Sequence, residues 1–171
     1  SMSCCLIPRC VLSKITDLDP DSLLKNGITF LLMDFDNTIV PYSTDTPSKE
    51  FLCWLQTIQL AGISVCVVSN SRKLRVQIFC KTYGIPCITR AKKPFAKGIL
   101  EAKRTFQIDF SKAALVGDQI FTDVLGANRN GILSILVKPI QFTNIWLRIR
   151  YWIEQPFIAI GRRRQTFELS Q

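Results

Sequence analysis

Along the chain, short runs of consecutive apolar residues alternate with longer segments whose apolar positions recur every three or four residues, and Gly, Pro or Asn stand at most of the changes. The clearest run is 28–33, ITFLLM, entered from Asn26-Gly27. It is too short for an ordinary helix and shows no polar alternation, as expected of a central parallel strand covered on both faces. Runs at 63–68, 86–89, 113–116 and 132–137 predict four more strands. Between them, Asp19 as N-cap, Pro20 at the first position and Gly27 beyond the end frame a short helix. A second helix, 48–60, carries Phe51, Leu52, Leu55, Ile58 and Leu60 and closes at Gly62. Leu74, Ile78 and Tyr83, stopped by Gly84, describe a third, and 94–106 and 121–130 two more. This alternation predicts an α/β fold: a doubly wound, mainly parallel, five-stranded Rossmann-like sheet with helices on both faces. A lead-in at 1–27, a core at 28–140 and a basic amphipathic segment at 141–171 divide the chain.

Composition narrows the class. With 171 residues, 47 % of them hydrophobic, the chain can bury one core without crosslinks. No apolar stretch is long enough to cross a bilayer, and Asp17, Asp19 and Asp21 do not suit a transit peptide, so a cytoplasmic location is expected. The seven Cys lack CxxC spacing; Cys53, Cys66 and Cys80 fall within predicted elements and are expected to be buried free thiols, while Cys4, Cys5 and Cys10 match no metal or lipidation motif. The net charge of +9 is uneven: residues 138–171 hold six basic side chains against two acidic ones, which points to an anionic partner near the C-terminus.

The first strand ends on Asp34 and Asp36. In extended backbone these point the same way, and two carboxylates so close repel unless a cation lies between them. With no His in the chain, oxygen donors of this kind suit Mg²⁺. Ser69 follows the second strand, Lys93 precedes the fourth helix, and Gly117-Asp118 follows the fourth strand with Asp123 a turn later. Taken singly, these are an N-cap, a solvated charge and turn residues. Together they gather where a doubly wound sheet binds its ligands.

DFDNT at 34–38, Ser69, Lys93-Pro94 and GDQIFTD at 117–123 resemble the four motifs of the haloacid dehalogenase superfamily of phosphatases. That resemblance implies Asp34 as a nucleophile forming an aspartyl-phosphate and Asp36 as acid, then base. It implies Ser69 and Lys93 as phosphate ligands, with Thr38 and Asn70 beside them. Asp34, the main-chain carbonyl of Asp36 and Asp118 would hold Mg²⁺, with Asp123 behind them.

Only a short loop separates Thr38 from the helix at 48–60, and 69–93 has room for one helix and one strand, so no cap domain fits. An open site suits a phosphate presented by a large or membrane-bound substrate. Residues 6–140 are similar to the capless YqeG-like branch, which includes phosphatidylglycerophosphate phosphatases, and a lipid phosphate is the expected substrate. In the tail, Phe142, Ile145, Trp146, Ile149, Trp152 and Ile153 form one apolar stripe flanked by Arg148 and Arg150, before Pro156. Such a stripe either packs on the sheet or lies on an anionic membrane surface, making the protein peripheral there. Two alternatives stay open: a phosphatase for nucleic-acid ends or phosphoproteins, and a basic phosphate- or membrane-binding module without turnover.

Overall fold

The computed structural model describes residues 5–165 and 168–170, which leaves Cys4 outside. In chain order the elements are β1 (Cys10–Leu12), α1 (Pro20–Lys25), β2 (Phe30–Met33), α2 (Lys49–Leu60), β3 (Ser64–Val68), α3 (Leu74–Tyr83), β4 (Cys87–Ile88), α4 (Lys97–Phe106), β5 (Ala113–Gly117), α5 (Leu125–Arg129), β6 (Leu133–Val137) and α6 (Ile145–Arg164). A single wide helical turn, Ile120–Val124, leads into α5. All strands pair in parallel in the order β1-β6-β5-β2-β3-β4. The expected doubly wound sheet is present with one strand more than the five predicted. The addition, β1, pairs Cys10 with Ile135 and Leu12 with Val137; three residues carry too little periodicity to separate from a loop.

Alternation along β2 decides which face each residue serves. Leu31 and Met33 join Phe51, Trp54, Ile58, Val76 and Phe79 on the α2–α3 side. Leu32 joins Ile99, Ala102 and Ala127 beneath α4 and α5 on the other. A third cluster of Ile120, Val124, Leu136 and Ile158 fastens α6 to the sheet.

The cap at Asp19 forms as expected and Ser48, expected inside the second helix, caps it instead, each side chain accepting from the backbone N–H three residues on, at 3.0 Å. Some apolar positions differ from expectation. Leu60, Leu74 and Ile78 are exposed: the inward arc of α2 is built by Phe51, Trp54, Leu55 and Ile58, and that of α3 by Val76, Phe79 and Cys80. Cys66 and Cys80 are buried, but Cys53 is exposed, one residue from the inward-facing Trp54 and so on the outer side of α2. The C-terminal helix does not stop before Pro156 but runs through it to Arg164. Pro156 is exposed there, so the hydrogen bond it removes lies on the outer face.

Candidate active site

β2 lies between β3 and β5, the point where the chain order of the sheet reverses, and ligands of such sheets bind beyond the strand ends at that point. Met33 is in register with Val67 of β3 and Val116 of β5. The next residues of all three strands therefore open on one volume: Asp34, whose N–H donates to Val116 O at 2.9 Å, Ser69, and Asp118. Gly117 is required by close approach, since a Cβ there would fall 2.2 Å from the Asp123 side chain. Asn37 turns the chain after Asp36 with φ of 61°, which Asn tolerates, and its side-chain amide pairs both ways with the Gln141 backbone at 2.8 and 3.1 Å.

At the centre, Lys93 Nζ donates to Asp34 Oδ1 at 2.9 Å and to Asp123 Oδ1 at 2.7 Å, and all three side chains are buried. Burial works against the Lys93 charge, yet Asp123 and Asp34 outweigh it and its pKa is raised. Asn70 fixes the segment carrying it, accepting from Lys93 N–H at 2.7 Å and donating to Lys93 O at 2.9 Å. Ser69 Oγ accepts from Ser71 N–H at 3.0 Å, which leaves the hydroxyl proton available. Thr38 Oγ1 donates to Asp118 Oδ1 at 3.3 Å.

Burial, then the nearby Asp34 and Asp123 carboxylates, hold Asp118 well above the ordinary carboxylate range. Burial and Asp34 push Asp123 up to about 6 despite Lys93. Asp34, Asp118 and Asp123 each offer an oxygen within 4.8 Å of the others. Lys93, even with Arg150 3.4 Å from Asp118, does not neutralise three such groups, and a set of oxygens with neither thiol nor imidazole fits a hard divalent cation. Asp36 is not in that cluster. Its carboxylate is ion-paired with Arg75 and lines an open cleft of about 870 Å³, shared with Tyr42, Asn70 and Lys73. A smaller cavity, about 430 Å³, sits at the opposite ends of the strands among Ile28, Ala113 and Leu133, away from this chemistry.

The site also uses residues outside the sequence motifs. Arg75 of α3 holds Asp36, Asp45 at 2.5 Å and Thr44 O at 3.1 Å, with Phe35 beneath its guanidinium. From α6, Arg150 Nη2 donates to Asp118 Oδ2 at 3.4 Å, and buried Glu154 accepts from Ile120 N–H at 2.5 Å. Arg150 Nε lies 3.5 Å from Glu154 Oε1 without hydrogen-bond geometry, so that contact is charge pairing alone. Tyr42 is 42 % exposed as a residue, yet desolvation of its hydroxyl first and the Asp118, Asp36 and Asp34 charges second push its pKa up to about 12. Arg75 stands six residues after Ser69 with no local pattern to mark it, and Arg150, expected as an outer flank of the apolar stripe, turns inward to Asp118 instead, leaving Arg148 on the flank.

Residues 90–143 match the HAD-hydrolase-like family model. The chain is 30 % identical over 159 residues to a Bacillus subtilis protein named Probable phosphatase YqeG, covering 92 % of each. It is 28 % identical to Phosphatidylglycerophosphate phosphatase 1, chloroplastic/mitochondrial, of Arabidopsis thaliana, spanning 96 % of this chain but 47 % of the plant protein's length. Among solved structures, the cobalt-bound deoxy-D-mannose-octulosonate 8-phosphate phosphatase of Haemophilus influenzae shares the fold, with a TM-score of 0.52 at 10 % identity over 81 % of this chain and 92 % of that one. A match to YqeG across nearly the whole length of both chains, on a sheet whose loops leave no room for a cap, means that the chain belongs to the capless YqeG-like branch of the haloacid dehalogenase superfamily of phosphatases.

Proposed function

We propose that this phosphatase is a Mg²⁺-dependent phosphomonoesterase working through an aspartyl-phosphate on Asp34, with a lipid phosphate of the phosphatidylglycerophosphate kind as substrate. The observation that carries the chemistry is Asp34 at the end of the central strand, held by Lys93 Nζ at 2.9 Å and facing Asp118 and Asp123. An Asp34 oxygen attacks phosphorus as the ester P–O bond breaks, and Asp36 gives the leaving alkoxide its proton. Asp36 then takes a proton from water, whose oxygen attacks phosphorus; the bond to Asp34 breaks, and phosphate leaves. Ser69 and Lys93 hold phosphoryl oxygens, with Thr38 and Asn70 fixing their surroundings. Arg75 keeps Asp36 beside the cleft. Mg²⁺ is assigned to Asp34, Asp118 and the main-chain carbonyl of Asp36, with Asp123 supporting; when bound it neutralises phosphoryl charge.

The lipid reading is supported by the open cleft beside Asp36 and by the name of the plant relative. No described helix is long and apolar enough to cross a membrane, so a lipid substrate would be met at the surface. The test is phosphate release with Mg²⁺ from phosphatidylglycerophosphate, a sugar phosphate, a nucleotide and a 5′-phosphorylated oligonucleotide. The lipid should be hydrolysed fastest, and Asp34→Asn should keep the fold and lose more than about a thousandfold in turnover. Preference for the oligonucleotide would replace the substrate, and near-normal turnover by Asp34→Asn would remove the nucleophile.

A further inference from the structure

We propose that the outer face of α6 is a docking surface for an anionic lipid bilayer, which would present the phosphate headgroup to the site behind the same helix. The purpose of this surface rests on the lipid-phosphate reading above; its existence as a docking face does not.

Trp146 and Trp152 are 74 % and 75 % exposed, and Ile145, Ile149 and Ile153 between them are exposed as well. At 100° per residue these five occupy one arc of roughly 120°, a continuous apolar patch of the kind that marks an interaction surface. The helix cannot roll to bury it. Its inner face is committed through Ile158 in the core, Glu154 on Ile120 N–H, Arg150 on Asp118, and Gly161, where a Cβ would meet Pro8 O at 2.8 Å. Phe121, partly exposed and three residues after Asp118, packs edge-on against Phe157 of α6 with ring centres 6.1 Å apart, so the helix that carries the patch also borders the segment following Asp118.

Charge identifies the occupant. Exposed Arg148 flanks the patch, and Arg163 and Arg164 fall on the same arc one turn beyond Ile160. Tryptophans at the margins, aliphatic residues between them and arginines around them match a helix lying in a headgroup layer. Single-stranded nucleic acid would use the arginines and stack on the tryptophans, but has no use for three isoleucines. A second copy of the chain would set these arginines against a molecule of charge +9. Helix α6 would lie on the bilayer, not across it.

Flotation with phosphatidylcholine vesicles, with and without phosphatidylglycerol, tests this on the full chain. The protein should float only with the anionic vesicles and lose binding as salt rises. Trp146→Ala with Trp152→Ala should lower the partition coefficient roughly tenfold or more. Arg163→Glu with Arg164→Glu should weaken it through charge alone. Both variants should keep the melting temperature and stay within about twofold of the parent on para-nitrophenyl phosphate, since none of these residues is buried. Failure of the parent to float, or flotation of the Trp variant equal to it, overturns the proposal. So does tighter, Trp-dependent binding to an oligonucleotide or a Trp-dependent dimer. A protein that floats as described yet leaves phosphatidylglycerophosphate intact would overturn the substrate reading and leave the docking face standing.

Discussion

On the two sides of α6 the ordinary placement of side chains is reversed. Toward the sheet, Asp34, Lys93, Asp118 and Asp123 are buried; toward solvent, Trp146 and Trp152 are about three-quarters exposed. Both arrangements cost stability, because each buried ion gives up several kcal/mol of hydration and each exposed apolar ring keeps its surface in water. They differ in how the cost is contained. The charges compensate one another through Lys93 and Arg150 inside the fold, whereas the tryptophans are left largely uncovered by the described residues. Places where a chain keeps such costs are where function outweighs packing. On the readings proposed above, a cation would complete the inner region and a bilayer would cover the outer one.

The largest effect expected is at Lys93. Lys93→Met removes the charge that faces both Asp34 and Asp123, and stranding buried carboxylates costs about 3–5 kcal/mol. Adding Asp123→Asn should recover part of that loss, because the two changes share one interaction. Thermal melts of the single and double variants check this; additive losses would mean that the buried charges are not coupled.

Next in size is the inner face of α6. Ile158→Ala opens a cavity against Ile120, Val124 and Leu136 and should destabilise by about 2–4 kcal/mol. Denaturant melts measure it directly. An effect below about 0.5 kcal/mol would show that α6 is not anchored on that side, and the comparison of its two faces would lose its inner term.

The acidic cluster predicts an unusual pH response. Asp123 rises from 3.8 to about 6, and Asp118 is raised too, so the fold holds these protons more tightly than the unfolded chain does. A carboxyl raised in this way costs nothing below its unfolded pKa; the metal-free fold then loses stability as pH climbs through about 4 to 6, opposite to a carboxylate in a favourable ion pair. A cation binds the ionised forms, so Mg²⁺ should stabilise most above that window, by about 2.7 kcal/mol at a hundred times its dissociation constant. Melts with Mg²⁺ and with chelator at about pH 5 and about pH 7.5 separate these cases. Equal stabilisation at both would remove the cation from this cluster.

The buried strands and the loops at their ends were legible because each follows from neighbours in sequence: apolar runs fix 30–33, 64–68 and 133–137, and the residues just beyond them carry Asp34, Ser69 and, after β5, Asp118. Cys10–Leu12 was not legible, since its partner strand comes from the far end of the chain and its own run is three residues long. Arg75 escaped, and Arg150 was expected on the outer flank of the stripe and not at Asp118, for a related reason: their roles come from how α3 and α6 lie over the strand ends, which a helix period does not encode. Pro156 misled in the opposite direction. A proline reads as a stop, but on the exposed side of a helix anchored before and after it by Glu154 and Ile158, tertiary contacts outweigh the lost bond.

The smallest expected effect is at Trp152. It belongs to the same helix as Ile158 and is larger, so a stripe that packed inward would lose several kcal/mol on truncation, as buried aromatic side chains do. At 75 % exposure the side chain has little packing to lose, and Trp152→Ala should change stability by less than about 0.5 kcal/mol. Paired denaturant melts of Trp152→Ala and Ile158→Ala make the contrast internal to one element, with helix propensity on the same side of both comparisons because each change ends in Ala. Near-equal losses from the two would mean that the outer face is covered by the chain's own residues, and the apolar half of the reversal would then be ordinary core.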